Sequence, residues 1–319
     1  EVLIEQLRAW APLDLIAGPS GYGLPLVTAT ELSDEQLDLM TLVRPDERGR
    51  PLGLPSFRSW ITALRASEFP VVFLPGGIHL PSIPPHRKLN SIDLGTPDKI
   101  AVAALAIAWL GSIPDFRDHQ HRTFALIEVG TAFTSVLIIQ DGAVVDALSG
   151  SRGPMGLRSS GAWDGEAAYW LSPLSKNDLF HGGMQDLESD LGYRAYSESL
   201  RKATAGLLAV TPVDQIWLSG RGLQSELPRL ATSTAVQGIA PVGFLGGLEG
   251  AWVKEAAQGA AIIADGLAGG QWSTLVSRMR IREASGHVLQ YLRQRPSGRP
   301  GGPELASAAI ESSRQAEVE

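Results

Sequence analysis

The chain has 319 residues, 44% of them hydrophobic and 19% charged, a soluble globular balance long enough for two domains of ordinary size. A formal net charge of -7, with no basic stretch to offset it, argues against a general nucleic-acid-binding surface. With no cysteine the chain has no disulfide, Cys-ligated zinc, iron–sulfur cluster or Cys nucleophile, which fits a reducing compartment such as the cytoplasm.

No apolar run reaches the roughly 18–20 residues that cross a bilayer, so no membrane partner is expected. The chain opens on an amphipathic helix over 1–10, followed by a short buried strand over 13–17 and a glycine-rich loop over 18–23. Because the sequence opens inside a helix and without Met, we expect an N-terminal piece to be missing. Ser33 and Asp34 mark the start of a helix over 31–40. A helix over 59–67 precedes an apolar strand over 69–74, which Pro75-Gly76-Gly77 breaks. Thr96 can cap a long buried helix beginning at Asp98, with Pro97 at its first position, where a missing N–H costs nothing.

Three consecutive strands follow, over 123–129, 134–140 and 143–148, with Asp141-Gly142 as a hairpin turn between the last two. Helices are expected over 164–171 and 196–209. A strand over 215–218 runs into Ser219-Gly220-Arg221-Gly222. A further strand over 235–239, a helix over 249–267 and a last helix over about 272–294 complete the reading. A lobe boundary is placed near 114–120. Lobe one then covers 1–120, lobe two 121–270, a C-terminal helix 271–295, and a disordered tail rich in Gly, Pro and Ser 296–319.

Three segments carry candidate chemistry. In Ile127-Glu128-Val129-Gly130-Thr131 an acidic residue ends a strand and a tight Gly–Thr turn follows. Oriented backbone amides at such a turn can grip phosphate, and a carboxylate beside it can hold hydrated Mg²⁺; hairpins with Gly–Thr turns are also common without function. In 216–222 a strand enters small residues, which lets backbone approach a flat ligand while Arg221 stacks on it; an ordinary strand-to-helix turn reads the same. The segment 259–266 is rich in small residues, which suit a close helix crossing whether or not a hinge lies there.

The order of these segments, with Gly95-Thr96-Pro97-Asp98-Lys99 and the loop 17–23, resembles the superfamily of acetate and sugar kinases, Hsp70 and actin (ASKHA), and within it an uncharacterised butyrate-kinase-like family. The resemblance covers about residues 1–290. It implies an α/β fold of two actin-like, ribonuclease-H-like lobes with ATP and Mg²⁺ between them. It makes Glu128, Gly130 and Thr131 the second phosphate loop, with Glu128 as the metal residue, and Ser219, Gly220, Arg221 and Gly222 the adenosine loop. The helices through Asp98 and Gly259 become the connecting helices. The superfamily's first phosphate hairpin, an Asp-x-Gly turn, has no counterpart in this sequence, and Glu128 stands where Asp is usual.

Candidate catalytic residues are Asp98 and Arg152; candidate substrate residues are Gly18, Ser20, Gly21, Tyr22 and Arg44. Each has a plainer reading as a helix-start carboxylate, a turn or a solvated charge. The basic triplet His86-Arg87-Lys88 is treated alike. His119, His121, His181 and His287 show no metal-ligand spacing. The expected activity is phosphoryl transfer from ATP to a small carboxylate or related metabolite, with positioning and charge neutralisation doing the catalysis; a homodimer is the expected assembly. An ATP-driven switch without kinase activity and an inactive remnant are the alternatives. A cluster-bearing dehydratase activator is excluded by the lack of cysteine.

Overall fold

The computed structural model describes residues 2–43, 55–112 and 122–293. Arg44, His119, His121, the expected boundary at 114–120 and the tail at 296–319 lie outside the described residues.

The larger sheet has five strands in the order β6-β5-β4-β7-β8. Its first half is the antiparallel meander β4 (Thr123–Val129), β5 (Thr134–Gln140) and β6 (Ala143–Leu148), with the bounds read from sequence. Asp141 and Gly142 both take positive φ, 52° and 76°, the turn whose twist suits a two-residue hairpin. The second half, β7 (Gln215–Ser219) and β8 (Val242–Phe244), runs parallel to β4. Helices cover both faces, so the central strands read as continuous apolar runs. α5 (Pro97–Ser112) and α9 (Glu255–Leu267) lie on one face, packed on Phe124, Leu126, Leu137 and Trp217. α7 (Ser189–Val210) and α8 (Glu226–Val236) cover the other, over Ala125, Ile127, Val136 and Leu218.

The smaller sheet holds β1 (Ile16–Gly18), β2 (Val27–Thr28) and β3 (Val71–Phe73) in the order β1-β3-β2, with β1 parallel and β2 antiparallel to β3. A third core joins it to α1 (Val2–Ala9), α2 (Asp34–Thr41) and α3 (Pro55–Arg65) through Leu7, Leu37, Met40, Ile61, Leu64 and Phe73. Ser33 caps α2 in a reciprocal capping box with Gln36, as its sequence suggests. The short α4 (Pro85–Lys88) belongs to a loop that docks on the edge of the larger sheet: Ser82 Oγ donates to the Val144 carbonyl at 2.7 Å, and Arg87 donates to the Val145 carbonyl at 2.8 Å.

Three expectations fail. The strand expected over 235–239 is instead the end of α8 and the turn after it. Ala231, Thr232, Ala235 and Val236 recur at helical spacing and are buried against α7, and the Thr232 hydroxyl returns to the Pro228 carbonyl at 2.8 Å. Packing here overrides the β-branched composition. The helix expected from 249 starts only at Glu255, after Gly250 at φ 74°. The long final helix is broken: α10 (Ser273–Arg278) stops at Arg280, which takes φ 57°, and a single 3-10 turn follows over Ile281–Glu283. The helix expected over 164–171 is α6 (Gly165–Leu171), with Asp164 as its N-cap. No helix among the described residues is long and apolar enough to cross a membrane.

Candidate functional site at the carboxyl ends of β4 and β7

The two parallel strands β4 and β7 place Glu128 and Ser219 side by side in register. Each lies two residues beyond a side chain packed with α5 and α9, Leu126 in one strand and Trp217 in the other, so both face those helices. This is the end of a parallel sheet at which ligands gather in α/β folds. The loops beyond the strands are pressed together. Gly220 takes φ 109°, and a Cβ on it would lie 2.3 Å from the Val129 carbonyl oxygen; one on Gly222 would lie 2.6 Å from Val129 Cγ1. Only glycine fits there, which makes the turns after β4 and β7 one continuous floor. The Gly130 amide closes the β4–β5 turn on the Phe133 carbonyl at 2.9 Å, leaving Thr131 exposed at the tip. The Ser219 Oγ is buried without a hydrogen-bond partner.

Above Glu128 stands Lys99, from the first turn of α5. Its ammonium lies 2.8 Å from Glu128 Oε2 and 2.9 Å from Asp98 Oδ2. The other Asp98 oxygen accepts from the Thr96 hydroxyl. Glu128 Oε2 is buried and makes no well-aligned hydrogen bond, so the Lys99 charge is what neutralises it. Burial pushes the Glu128 carboxyl above its ordinary range, with Lys99 opposing. Burial also acts to lower Lys99, but the carboxylates of Asp98 and Glu128 outweigh it and hold the ammonium charged. For Asp98 burial is likewise outweighed, by Lys99 and Thr96, and its carboxyl sits low. Lys254 and Glu255, at the start of α9, add their charges to the same cluster.

Asp93 lies behind this group. It accepts from the Gly95 amide at 2.8 Å, and burial raises its carboxyl. Gly150 abuts it so closely that a Cβ would meet Asp93 Oδ2 at 2.4 Å. Burial, and next the Asp93 charge, push the Tyr22 phenol up to about 12. Lys176, on an arm that spans 150–188, sits 4.8 Å over the Tyr22 ring and donates to the Thr41 carbonyl. Phe180 of the same arm meets Phe133 of the β4–β5 turn edge-on at 5.1 Å. The arm therefore ties the β4–β5 turn to the Tyr22 loop. An open groove of about 600 Å³ lies along it, lined by Trp163, Leu171, Leu174 and His181 among others.

The structure thus brings together Asp98, Glu128, Gly130, Ser219, Gly220 and Gly222. Arg221 is exposed just beyond them. Arg152 is engaged elsewhere, donating to Ser91 Oγ and to the Arg87 carbonyl. The Ser20 hydroxyl is used within the fold, donating to the Gly18 carbonyl and accepting from the Leu74 amide, both at 2.8 Å. Gly21, at φ 53°, is required by the Met40 carbonyl, which a Cβ would meet at 2.3 Å; Gly18 packs on Phe73. Sequence reasoning missed Lys99, Asp93 and Lys176. For Lys99 the available signal was its place beside Asp98 in a helix's first turn; the other two depend on tertiary contacts alone.

The residues fit a nucleotide better than a protein-held metal. A glycine floor, an unpartnered hydroxyl and a charged lysine suit a phosphate ester. Glu128, the expected metal residue, is already paired with an ammonium, and among the described residues no group of three or more His, Asp or Glu could hold a metal ion.

A family model described as a protein of unknown function, DUF1464, matches residues 1–294. Among curated proteins none matches the sequence. Solved structures with the same fold include an acetate kinase from Entamoeba histolytica, with TM-score 0.51 and 14% identity over 75% of this chain and 72% of that one. They include an acetate kinase from Porphyromonas gingivalis, with TM-score 0.51 and 14% identity over 70% and 64%. A propionate kinase from Francisella tularensis subsp. tularensis SCHU S4 gives TM-score 0.53 and 12% identity over 81% of each chain. The fold is therefore the two-lobed, actin-like α/β fold of these acid kinases.

Proposed function

The chain belongs to the DUF1464 family, and we propose that it binds ATP between its lobes and transfers phosphate to a small carboxylate, in the manner of a butyrate-kinase-like acid kinase. The observation that carries this reading is the cluster of Lys99, Glu128 and Ser219 at the carboxyl ends of β4 and β7, on the glycine floor of Gly130, Gly220 and Gly222. In this reading the β4–β5 turn at Gly130 and Thr131 receives the phosphates. Ser219 and Gly220 border the adenosine, and the exposed Arg221 stacks on the base. Lys99 neutralises charge on the transferring group, and Asp98 holds Lys99 in place. The acceptor lies toward Tyr22, where Lys176 supplies a second positive charge. Magnesium has no protein ligand in this scheme, and the reaction would run in the cytoplasm, where ATP is supplied.

The test is a thermal melt with ATP and with no nucleotide, followed by an acyl-phosphate assay on acetate, propionate and butyrate. Binding to the folded state raises the melting temperature by mass action. A rise together with acyl-phosphate formation supports the reading. A rise without any acyl phosphate turns the protein into an ATP-binding switch, and no rise removes the nucleotide altogether.

A further inference from the structure

In many phosphate sites the carboxylate beside the loop holds a divalent cation. The arrangement around Glu128 is different. Asp98 and Glu128 approach from two elements, the first turn of α5 and the end of β4, and their oxygens flank one point at 2.9 and 2.8 Å. Two carboxylates converging in this way make a cation site, and the cation present is the side chain of Lys99. We infer that Lys99 is the permanent counter-ion of this phosphate turn, occupying the position between Asp98 and Glu128 that a divalent metal would otherwise take.

Three physical points support the assignment. The lysine is tethered to α5, so it competes with a free metal ion at the high local concentration of an intramolecular partner. Its side chain and that of Glu128 each keep only 12% of their exposure, so water screens their attraction poorly. A metal ion entering would have to displace the ammonium from between its two carboxylates and lose the ion pair with the buried Glu128. Of the other charges that reach the cluster, Asp93 adds a further carboxyl behind Lys99, while Lys254 and Glu255 at the start of α9 are opposite in sign. An ammonium carries three N–H donors, of which one goes to Asp98 Oδ2 while Glu128 is held as an ion pair, so a phosphate oxygen can take another. The proposed kinase reading gives this device a use, but the assignment itself rests on the protein's own side chains and needs no nucleotide.

The experiment is a titration of the protein with Mn²⁺ alone at pH 8, followed by electron paramagnetic resonance of the free ion. Four proteins are compared: wild type, Lys99→Ala, Lys99→Arg, and the double variant Lys99→Ala with Glu128→Gln. Wild type and Lys99→Arg are expected to show only weak, nonspecific surface binding. Lys99→Ala vacates a position flanked by two carboxylates and is expected to gain a Mn²⁺ site at least about tenfold tighter, which the double variant loses. A folded Lys99→Ala with no such gain overturns the inference. A Glu128→Gln variant of the otherwise native protein supplies the control where Lys99→Ala does not fold. In that comparison, wild-type Mn²⁺ binding that disappears with Glu128→Gln shows the metal, and not Lys99, to be the resident cation; identical weak binding in the two supports Lys99. Loss of ATP binding in the thermal melt would leave all of these outcomes readable.

Discussion

Helix α9 crosses α5 where Gly259 meets Ala101: a Cβ at 259 would lie 1.7 Å from the Ala101 carbonyl oxygen. No rotamer change relieves a clash with backbone, so a methyl group there must push the two helices apart. These helices form the layer between the two sheets, and the displacement spreads into the main core. Gly259→Ala should cost about 3 kcal/mol or more. Gly206, inside α7 with nothing within 4 Å of its Cβ position, is the control. Gly206→Ala should stabilise by roughly 0.5–1 kcal/mol, because alanine loses less backbone entropy on folding. Urea midpoints of the two variants should move in opposite directions.

Arg87 binds the loop that carries α4 to the outer strand of the larger sheet. Its guanidinium lies 3.4 Å from Asp146 Oδ2 and donates to the Val145 carbonyl and to Thr211 Oγ1 at 2.8 and 3.3 Å. Burial raises the Asp146 carboxyl, and Arg87 opposes that shift. Arg87→Ala therefore strands a half-buried carboxylate and a carbonyl, at a cost of about 2–3 kcal/mol. Lysine reaches one acceptor but cannot reproduce the fork, so Arg87→Lys should recover less than half of the loss. A double-mutant cycle with Asp146→Ala measures the pair; a coupling indistinguishable from zero would show that the loop is held by Ser82 and apolar contacts instead.

The meander β4–β5–β6 was legible to the residue because its signals are local: apolar runs of strand length and an Asp-Gly turn that demands positive φ. The cap of α2 was legible for the same reason. The end of α8 was not, since 235–239 reads as a strand although α7 buries Ala235 and Val236 as the last turn of a helix. The final helix was not, because nothing in the local sequence reports that Arg280 turns left-handed. Half of the candidate site followed the same rule. Glu128, Gly130, Ser219 and Gly220 sit at strand ends that sequence locates. The partner of Glu128 comes from a helix in another layer, and Arg152 was assigned to the cleft although Ser91 engages it.

His79 is fully buried, with Nδ1 facing the Gly76 amide at 3.2 Å and Nε2 without a partner. Burial, opposed by the hydrogen bond to Gly76 and helped by the nearby Lys88 and His287, holds its pKa at about 4. In the unfolded chain it titrates near 6.5. Between these values the unfolded state carries the extra proton, so stability rises with pH across that window and is lost as pH falls from about 6.5 to 4. The shift bounds the loss at about 3 kcal/mol. His79→Gln keeps a neutral acceptor for Gly76 and should flatten this limb. Urea denaturation at pH 4.5, 5.5 and 7 measures the slope; parallel curves for the two proteins would assign the acid sensitivity to other groups.

Ser219 separates stability from function at the site. Its hydroxyl is buried without a hydrogen bond, a cost of about 1–3 kcal/mol relative to a satisfied group. Removing the oxygen removes that cost and leaves the neighbouring glycines and the β4–β7 register untouched. Ser219→Ala should therefore melt at the same temperature as wild type or a few degrees higher. If the hydroxyl is kept for a nucleotide, the same variant should bind ATP roughly fivefold to tenfold more weakly, the loss of one hydrogen bond of about 1 kcal/mol. Calorimetric titration beside the melt reads both quantities. A lower melting temperature would show the hydroxyl already satisfied in the free protein, and unchanged ATP affinity would remove Ser219 from the nucleotide site while leaving Lys99 and Glu128 in place.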